Sequence, residues 1–252
     1  MTFPTTDHAA AAQIVADYAD RLDGVDTVLV VNSCARGQAV PESDLDMAIL
    51  MTSSVDEAAM EADWRAFAAS NATLQAFCTR SPFSAVHLDF FDGVFEPTVW
   101  DDGGGPDTFE IEIGNRVAYA RPLHDTGPLF LQLQARWLPY YEEALRDSRL
   151  SMMATACLYD LDHVPFYVDR GLFLQAFDRL YKAFGEYIQA LFTLNRTYPI
   201  AYNKWLAEQL AMIDRSDLCE PLLSVLSVAD LSTGLSGKAS ALKELAVDLT
   251  AT

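Results

Sequence analysis

Residues 28–51 read VLVVNSCARGQAVPESDLDMAILM. Val28, Leu29, Val30 and Val31 form a short, mostly β-branched apolar run of the kind that makes a strand buried on both faces. A polar connection follows, with Asn32, Ser33, Arg36 and Gly37 near its start and Pro41 and Ser43 near its end. A second apolar run, Leu45 with Met47, Ala48, Ile49, Leu50 and Met51, predicts a second strand that begins on Asp44 and Asp46. Residues i and i+2 of a strand face the same way, so the two carboxylates project together. Two like charges that close repel, and a cation between them removes the penalty. Oxygen ligands suit a hard ion, Mg²⁺ or Mn²⁺.

The series Asn32-Ser33, Arg36-Gly37, Ser43-Asp44-Leu45-Asp46 resembles the signature of the DNA polymerase beta-type nucleotidyltransferase superfamily. That signature is Gly-Ser, an Arg-Gly three residues on, and an Asp-apolar-Asp about ten residues beyond the serine. Ten residues separate Ser33 from Asp44. Asn32 stands where the family has glycine. Glycine lets backbone amides approach a phosphate closely, and asparagine tolerates unusual φ better than most residues. The resemblance implies that Ser33, Arg36, Gly37 and Ser43 belong to the loop under the phosphates of a nucleoside triphosphate. It also implies that Asp44 and Asp46 hold the metal, and that a third carboxylate from a neighbouring strand completes the site and serves as general base. Asp89 is the candidate. In residues 85–91, AVHLDFF, the alternation of Val86, Leu88 and Phe90 against His87, Asp89 and Phe91 predicts a strand with Asp89 on its polar face. An isolated acid in an apolar strand is costly without a partner. Glu110 and Glu112 are reserve candidates, and His87 is expected beside the site rather than as a ligand.

The chain has 252 residues, 51% of them hydrophobic, which is enough for one large or two small domains with a sizeable core. Acidic residues number 36 against 17 basic, a formal net charge of −19. That balance argues against a general nucleic-acid binder, which carries a basic patch. It fits a cationic small substrate, because an acidic cleft concentrates cations. Cys34, Cys78, Cys157 and Cys219 are scattered without a C-x-x-C, so free thiols in a reducing compartment are expected. The N-terminal MTFPTTDHAAAAQ lacks the features of a secretory signal, and no run of about 18 uncharged apolar residues predicts a membrane span. The expected compartment is the cytoplasm.

The pattern predicts a helix over 6–22, ended by Gly24, and another over 56–69 with Trp64 and Phe67 as core anchors. Residues 78–80 read as weak strand or loop. Residues 101–107, DDGGGPD, read as a loop too rich in glycine and acid to be packed. Residues 110–113 and 117–120 are expected to pair as a hairpin across Gly114-Asn115. Residues 122–128 mark the expected boundary, giving domains at 1–125 and 126–252. Beyond it the pattern is helical: 129–146, kinked or split at Pro139; 151–161; after Pro165, an amphipathic helix over 168–194; then 199–213, 218–228 and 238–249. The fold class is therefore α+β, a small mixed sheet with helices followed by a helical bundle.

Residues 194–205, LNRTYPIAYNKW, carry Arg196 and Lys204 in a mostly acidic chain. Pro199 suits the first turn of a helix, with Tyr202, Asn203 and Lys204 early on it. Arginine pairs a phosphate with two hydrogen bonds and lysine as a point charge. The stretch is similar to the helical-domain segment with which two-domain members of the superfamily, antibiotic nucleotidyltransferases among them, hold the triphosphate. That likeness implies nucleotide-binding roles for Arg196, Tyr202 and Lys204. Asp169 and Arg170 are expected at the start of the long helix, and Tyr140, Tyr141, Phe166 and Tyr167 could make either a dimer contact or an acceptor pocket. The layout resembles kanamycin- and streptomycin-type adenylyltransferases. It implies Mg²⁺-dependent transfer of AMP from ATP to a hydroxyl of a small, aminoglycoside-like cation, with no nucleic-acid or membrane partner, by a monomer or homodimer. Transfer to a protein side chain and non-catalytic nucleotide binding are the alternatives.

Overall fold

The computed structural model describes residues 2–54, 56–100, 103–227 and 231–250. The architecture is α+β. By contacts the chain divides into two compact units, Met1–Phe95 with Glu112–Pro139, and Glu96–Ile111 with Tyr140–Thr252. The expected boundary between 125 and 126 falls inside the segment that returns to the first unit.

In the first unit Thr5 caps α1 (Thr6–Ala19), its side chain accepting from the His8 amide. The apolar run expected from Val28 is β1 (Val25–Val30). What reads as a loop after it begins with one short helical turn, α2 (Asn32–Arg36), closed by Gly37 at φ 73°, a left-handed helix cap that only glycine adopts without strain. Then come β2 (Leu45–Met51), α3 (Glu57–Ser70) with Asp56 as its cap, α4 (Ala72–Cys78) and β3 (Val86–Phe91). The weak strand or loop expected at 78–80 is instead the end of α4, which Asn71 starts by accepting from the amides of Thr73 and Leu74.

Among the described residues the strands form one mixed sheet in the order β3-β2-β1-β4, where β4 is Arg121–Pro122. β1 lies antiparallel to β2 and β4, and β3 parallel to β2. Leu45, Met47, Ile49, Leu88 and Phe90 face a core made with Val15, Trp64, Leu74 and Phe77 of the helices. Ala48, Leu50 and Phe91 alternate with that set and are also buried. β2 is therefore apolar almost throughout, as a strand covered on two faces must be, whereas β3 keeps His87 and Asp89 exposed at its start.

Residues 109–118 do not form the expected hairpin. They form α5 (Phe109–Ile113) and a π-helical turn over Gly114–Ala118. Phe109, Ile113 and Val117 are all buried, and their spacing of four is helical; it prevails over the alternation of Phe109, Ile111 and Ile113. α6 (Pro128–Trp137) starts on a cap lent by another element: the Asp26 carboxylate accepts from the amides of Leu129 and Phe130 at 2.9 and 3.0 Å. Gly127 is required there, because a Cβ would collide with Asp26. Pro139 separates α6 from the next helix, as its missing N–H dictates.

The second unit is built on α7 (Glu143–Asp169) and α8 (Phe173–Leu194), with α9 (Leu206–Met212), α10 (Cys219–Val225) and α11 (Leu231–Thr250). Pro165 does not end a helix. It lies inside α7, where Leu161 and Val164 are buried against the bundle core and hold the helix through the lost hydrogen bond. Asp169 and Arg170 thus close α7 rather than open the next helix. Residues 199–204 are not helical either. Gln209 accepts from the Ile200 amide at 2.7 Å and donates to the carbonyls of Ala201 and Lys204, so the backbone is satisfied in a bend and the helix begins only after Trp205. Among the described residues no helix is long and apolar enough to cross a membrane.

Candidate functional site

The site is set by the start of β2. The Leu45 amide donates to Ala85 O at 2.8 Å and the Val31 amide to Asp46 O at 3.1 Å, which fixes the backbone on both sides of Asp44 and Asp46. Across the parallel pair Asp46 is in register with His87 and Ala48 with Asp89. Asp44, Asp46, His87 and Asp89 therefore rise from one face of the sheet. Further along that face the residues are Leu50 and Phe91, both buried, so the polar group occupies one end of an otherwise apolar surface.

Three of the four converge. One ligand atom each from Asp44, Asp46 and His87 lie within 4.8 Å of one another, with His87 Nε2 3.7 Å from Asp44 Oδ2. Asp89 goes elsewhere: its Oδ2 lies 3.5 Å from Arg116 on the π-helical turn. Arg116 stacks on Phe91 and comes within 4.0 Å of Glu112. The structure thus brings the aspartate pair together with His87, the residue expected only as a neighbour, and gives Asp89 and Glu112 a shared arginine. Two carboxylates and an imidazole nitrogen are a donor set for a divalent cation such as Mg²⁺ or Mn²⁺, and the imidazole favours Mn²⁺.

Of the motif residues, Asn32 has φ 53°, the left-handed region that asparagine enters more readily than most. Ser33 follows it on α2, half-buried. Cys34 lies beneath the carboxylates, donating to Asp44 O at 3.7 Å. Burial pushes its thiol up to about 12, and the charges of Asp46 and Asp44 act in the same direction. Arg36 ends the helix and Gly37 caps it. Ser43 Oγ accepts from the Val40 amide at 3.0 Å and closes the turn before Asp44.

Sequence reasoning missed the residues that hold this turn in place. Fully buried His8 puts Nε2 3.1 Å from Ser43 O. Burial lowers its pKa, against the carbonyl's pull. Arg80 donates to Pro41 O at 2.8 Å and Ser81 to Glu42 O at 3.2 Å. A buried histidine on an alanine-rich helix and an arginine just after α4 are the only traces of this in the sequence.

In the second unit Glu110 is not available as a metal ligand. It is fully buried, and Arg149, Gln189 and Tyr141 all donate to it. Arg196 is held by Glu143 through two hydrogen bonds of 3.0 and 2.7 Å. Tyr202 turns its hydroxyl into the protein, and burial pushes its pKa up, whereas Lys204 is exposed on the bend. Tyr140 and Tyr141 are core residues stacked on each other, with Tyr198 against Tyr140, and Phe166 stays half-exposed.

No protein-family model matches the chain, and no curated protein matches it. Among solved structures it is similar to a nucleotidyltransferase-like protein from Exiguobacterium sibiricum, with 13% identity over 96% of this chain and 74% of that one, at a TM-score of 0.46. At that distance the functional reading rests on the geometry of the site itself.

Proposed function

We propose that this protein is a nucleotidyltransferase that moves AMP from ATP to a hydroxyl of a small, cationic, aminoglycoside-like acceptor. The observation that carries the reading is the convergence of Asp44, Asp46 and His87 beside α2 at the start of β2. These three would hold Mg²⁺ or Mn²⁺, which supplies charge neutralisation for a triphosphate. Ser33 and the turn closed by Gly37 and Ser43 would lie under the phosphates. Asp89, 3.5 Å from Arg116, would accept the proton of the acceptor hydroxyl. The freed oxygen bonds to the α-phosphorus as the bond to pyrophosphate breaks. By the likeness of residues 194–205 to the family's triphosphate segment, Lys204, exposed on the bend before α9, would contact a phosphate.

A second reading is a nucleotide-binding protein without turnover. It is favoured by the engagement of Asp89 with Arg116 instead of with the metal ligands. One experiment separates the two: incubation with labelled ATP, Mn²⁺ or Mg²⁺ and a panel of amine-bearing polyols. Pyrophosphate release with label on a small molecule, abolished by Asp44→Ala, supports transfer. Label on protein alone supports adenylylation of a side chain. Metal-dependent ATP binding without pyrophosphate release sinks the transfer reading and leaves the second.

A further inference from the structure

The second unit contains a cavity of about 210 Å³ that is independent of the metal cluster. Among the described residues it is lined by Trp100 and Pro106 from the segment before α5, by Met152 and Ala156 of α7, and by Glu186 and Gln189 of α8. Thr98 and Asp107 also reach it. The residues split by chemistry. Met152, Met153, Ala156, Val99 and Pro106 give an apolar wall. Glu186 and Asp107 are the charged groups, and no lysine or arginine lines the cavity among the described residues.

Asp107 is satisfied: its carboxylate accepts from Arg149, Gln189 and Thr98, each at 2.7 Å. Glu186 is not. It is 1% exposed, Oε1 accepts from Trp100 Nε1 at 3.3 Å, and Oε2 is buried with no hydrogen-bond partner among the described residues. An acceptor oxygen left this way costs free energy unless a donor reaches it. Other charged groups are already committed. Arg179 is hydrogen-bonded to buried Asp160, and Lys182 lies 2.8 Å from Asp178. The site therefore has an apolar wall, an aromatic ring and one unsatisfied carboxylate oxygen. It is too small for a whole drug-sized ligand, whose pockets start at about 300 Å³.

We infer that this cavity binds the charged amino or guanidino group of a small organic cation, with Glu186 as its hydrogen-bonding counter-ion and Trp100 beside it. The binding itself depends neither on nucleotide nor on metal. Burial and the charge of Asp160 raise the Glu186 pKa to about 8, against the pull of Trp100, Arg179 and Lys182. The cation thus displaces the Glu186 proton as it binds. Affinity rises about tenfold per pH unit below about 8 and levels off above it.

The test uses the full chain without ATP or divalent metal. Cyclohexylammonium and methylguanidinium, which stay charged between about pH 6 and about pH 9, are titrated by calorimetry, with cyclohexanol as the neutral control. The expected result is one site for the cations with the stated pH slope, weakened at least about tenfold in Glu186→Gln. Ala156→Leu, which fills the cavity and leaves every charge in place, is expected to lose binding as well, with far-UV circular dichroism confirming that each variant is folded. Equal binding of cyclohexanol, or Glu186→Gln binding as tightly as the parent, overturns the assignment. Amine binding with no AMP transfer would leave this site standing and remove the transfer reading alone.

Discussion

Replacing Asp46 by asparagine has opposite effects on stability with and without a divalent cation. In the metal-free protein the ligand oxygens of Asp44 and Asp46 are no more than 4.8 Å apart. Two unit charges at that separation repel by about 0.9 kcal/mol at the dielectric of water and by about 3.5 kcal/mol at an effective value of about 20. The Asp44 side chain is 40% exposed, so the smaller figure governs, and ordinary salt reduces it further. Metal-free Asp46→Asn is therefore as stable as the parent, or more stable by up to about 1 kcal/mol, a rise of about 2–4 °C in melting temperature for a chain of this length. With cation at about a hundred times its Kd the parent gains about 2.7 kcal/mol. The variant, which has lost one of two anionic ligands, gains much less, so the order of stability reverses. Thermal unfolding followed by tryptophan fluorescence, first after chelation and then across a Mn²⁺ titration, reads both halves of the prediction. A chelated variant that melts more than about 4 °C below the parent would show that Asp46 is a structural acid. Equal stabilisation of both proteins by Mn²⁺ would refute the metal site.

Asn32 at φ 53° tests the geometry of the turn that opens α2. Asn32→Ala is expected to cost about 1–2 kcal/mol in urea unfolding, the usual penalty for an L side chain in the left-handed region, and Asn32→Gly almost nothing; equal stability of all three denies that geometry. Arg149→Met leaves Glu110 and Asp107 without the cation they share and is expected to cost about 3–5 kcal/mol, part of it recovered in the double variant with Glu110→Gln; an additive double variant would break the pairing argument. Glu186 makes stability fall as pH rises, because its pKa goes up on folding: from the ordinary 4.5 to about 8 the unfolded chain ionises first, and above about 8 the slope vanishes. In Glu186→Gln that slope is expected to disappear from melting curves recorded between about pH 5 and about pH 8, whereas an unchanged slope would deny Glu186 its raised pKa.

The aspartate end of the sheet was legible because its information is local. Asp44 and Asp46 share a face by strand geometry alone, and Gly37 is needed by the helical turn it closes. The alternation of residues 86–90 was enough to place His87 and Asp89 on one side of β3. Local pattern did not say which of them turns to the aspartates, because that depends on Arg116. Arg116 reaches Asp89 from a π-helical turn that the sequence presents as a hairpin. The same error misplaced Glu110. Read as a strand, FEIEI puts both glutamates on a polar face; wound as a helix, it sends Glu110 into the interior beside Arg149 and leaves Glu112 partly exposed.

Sequence distance explains why the cavity of the helical unit left no trace of that kind. Trp100 and Glu186 are 86 positions apart, Asp107 and Gln189 are 82 apart, and Asp107 and Arg149 are 42 apart. None of these pairs falls within a helical or strand repeat, so no periodicity connects them. The loop over 101–107, with its glycines and acids, reads as solvated, yet Asp107 is hydrogen-bonded by Arg149 and Gln189, and Gly105 packs directly against Lys182. Glycine is needed there for the opposite of flexibility: residue 105 sits at φ 83°, where an L side chain is strained, and a Cβ would press on Lys182 at 3.1 Å. Gly185 on α8 meets the same limit, since a Cβ would come within 2.8 Å of Pro106. The described part of that segment, residues 103–107, is therefore held closely against α8, at the wall of the cavity where Glu186 leaves one oxygen without a hydrogen-bond partner among the described residues.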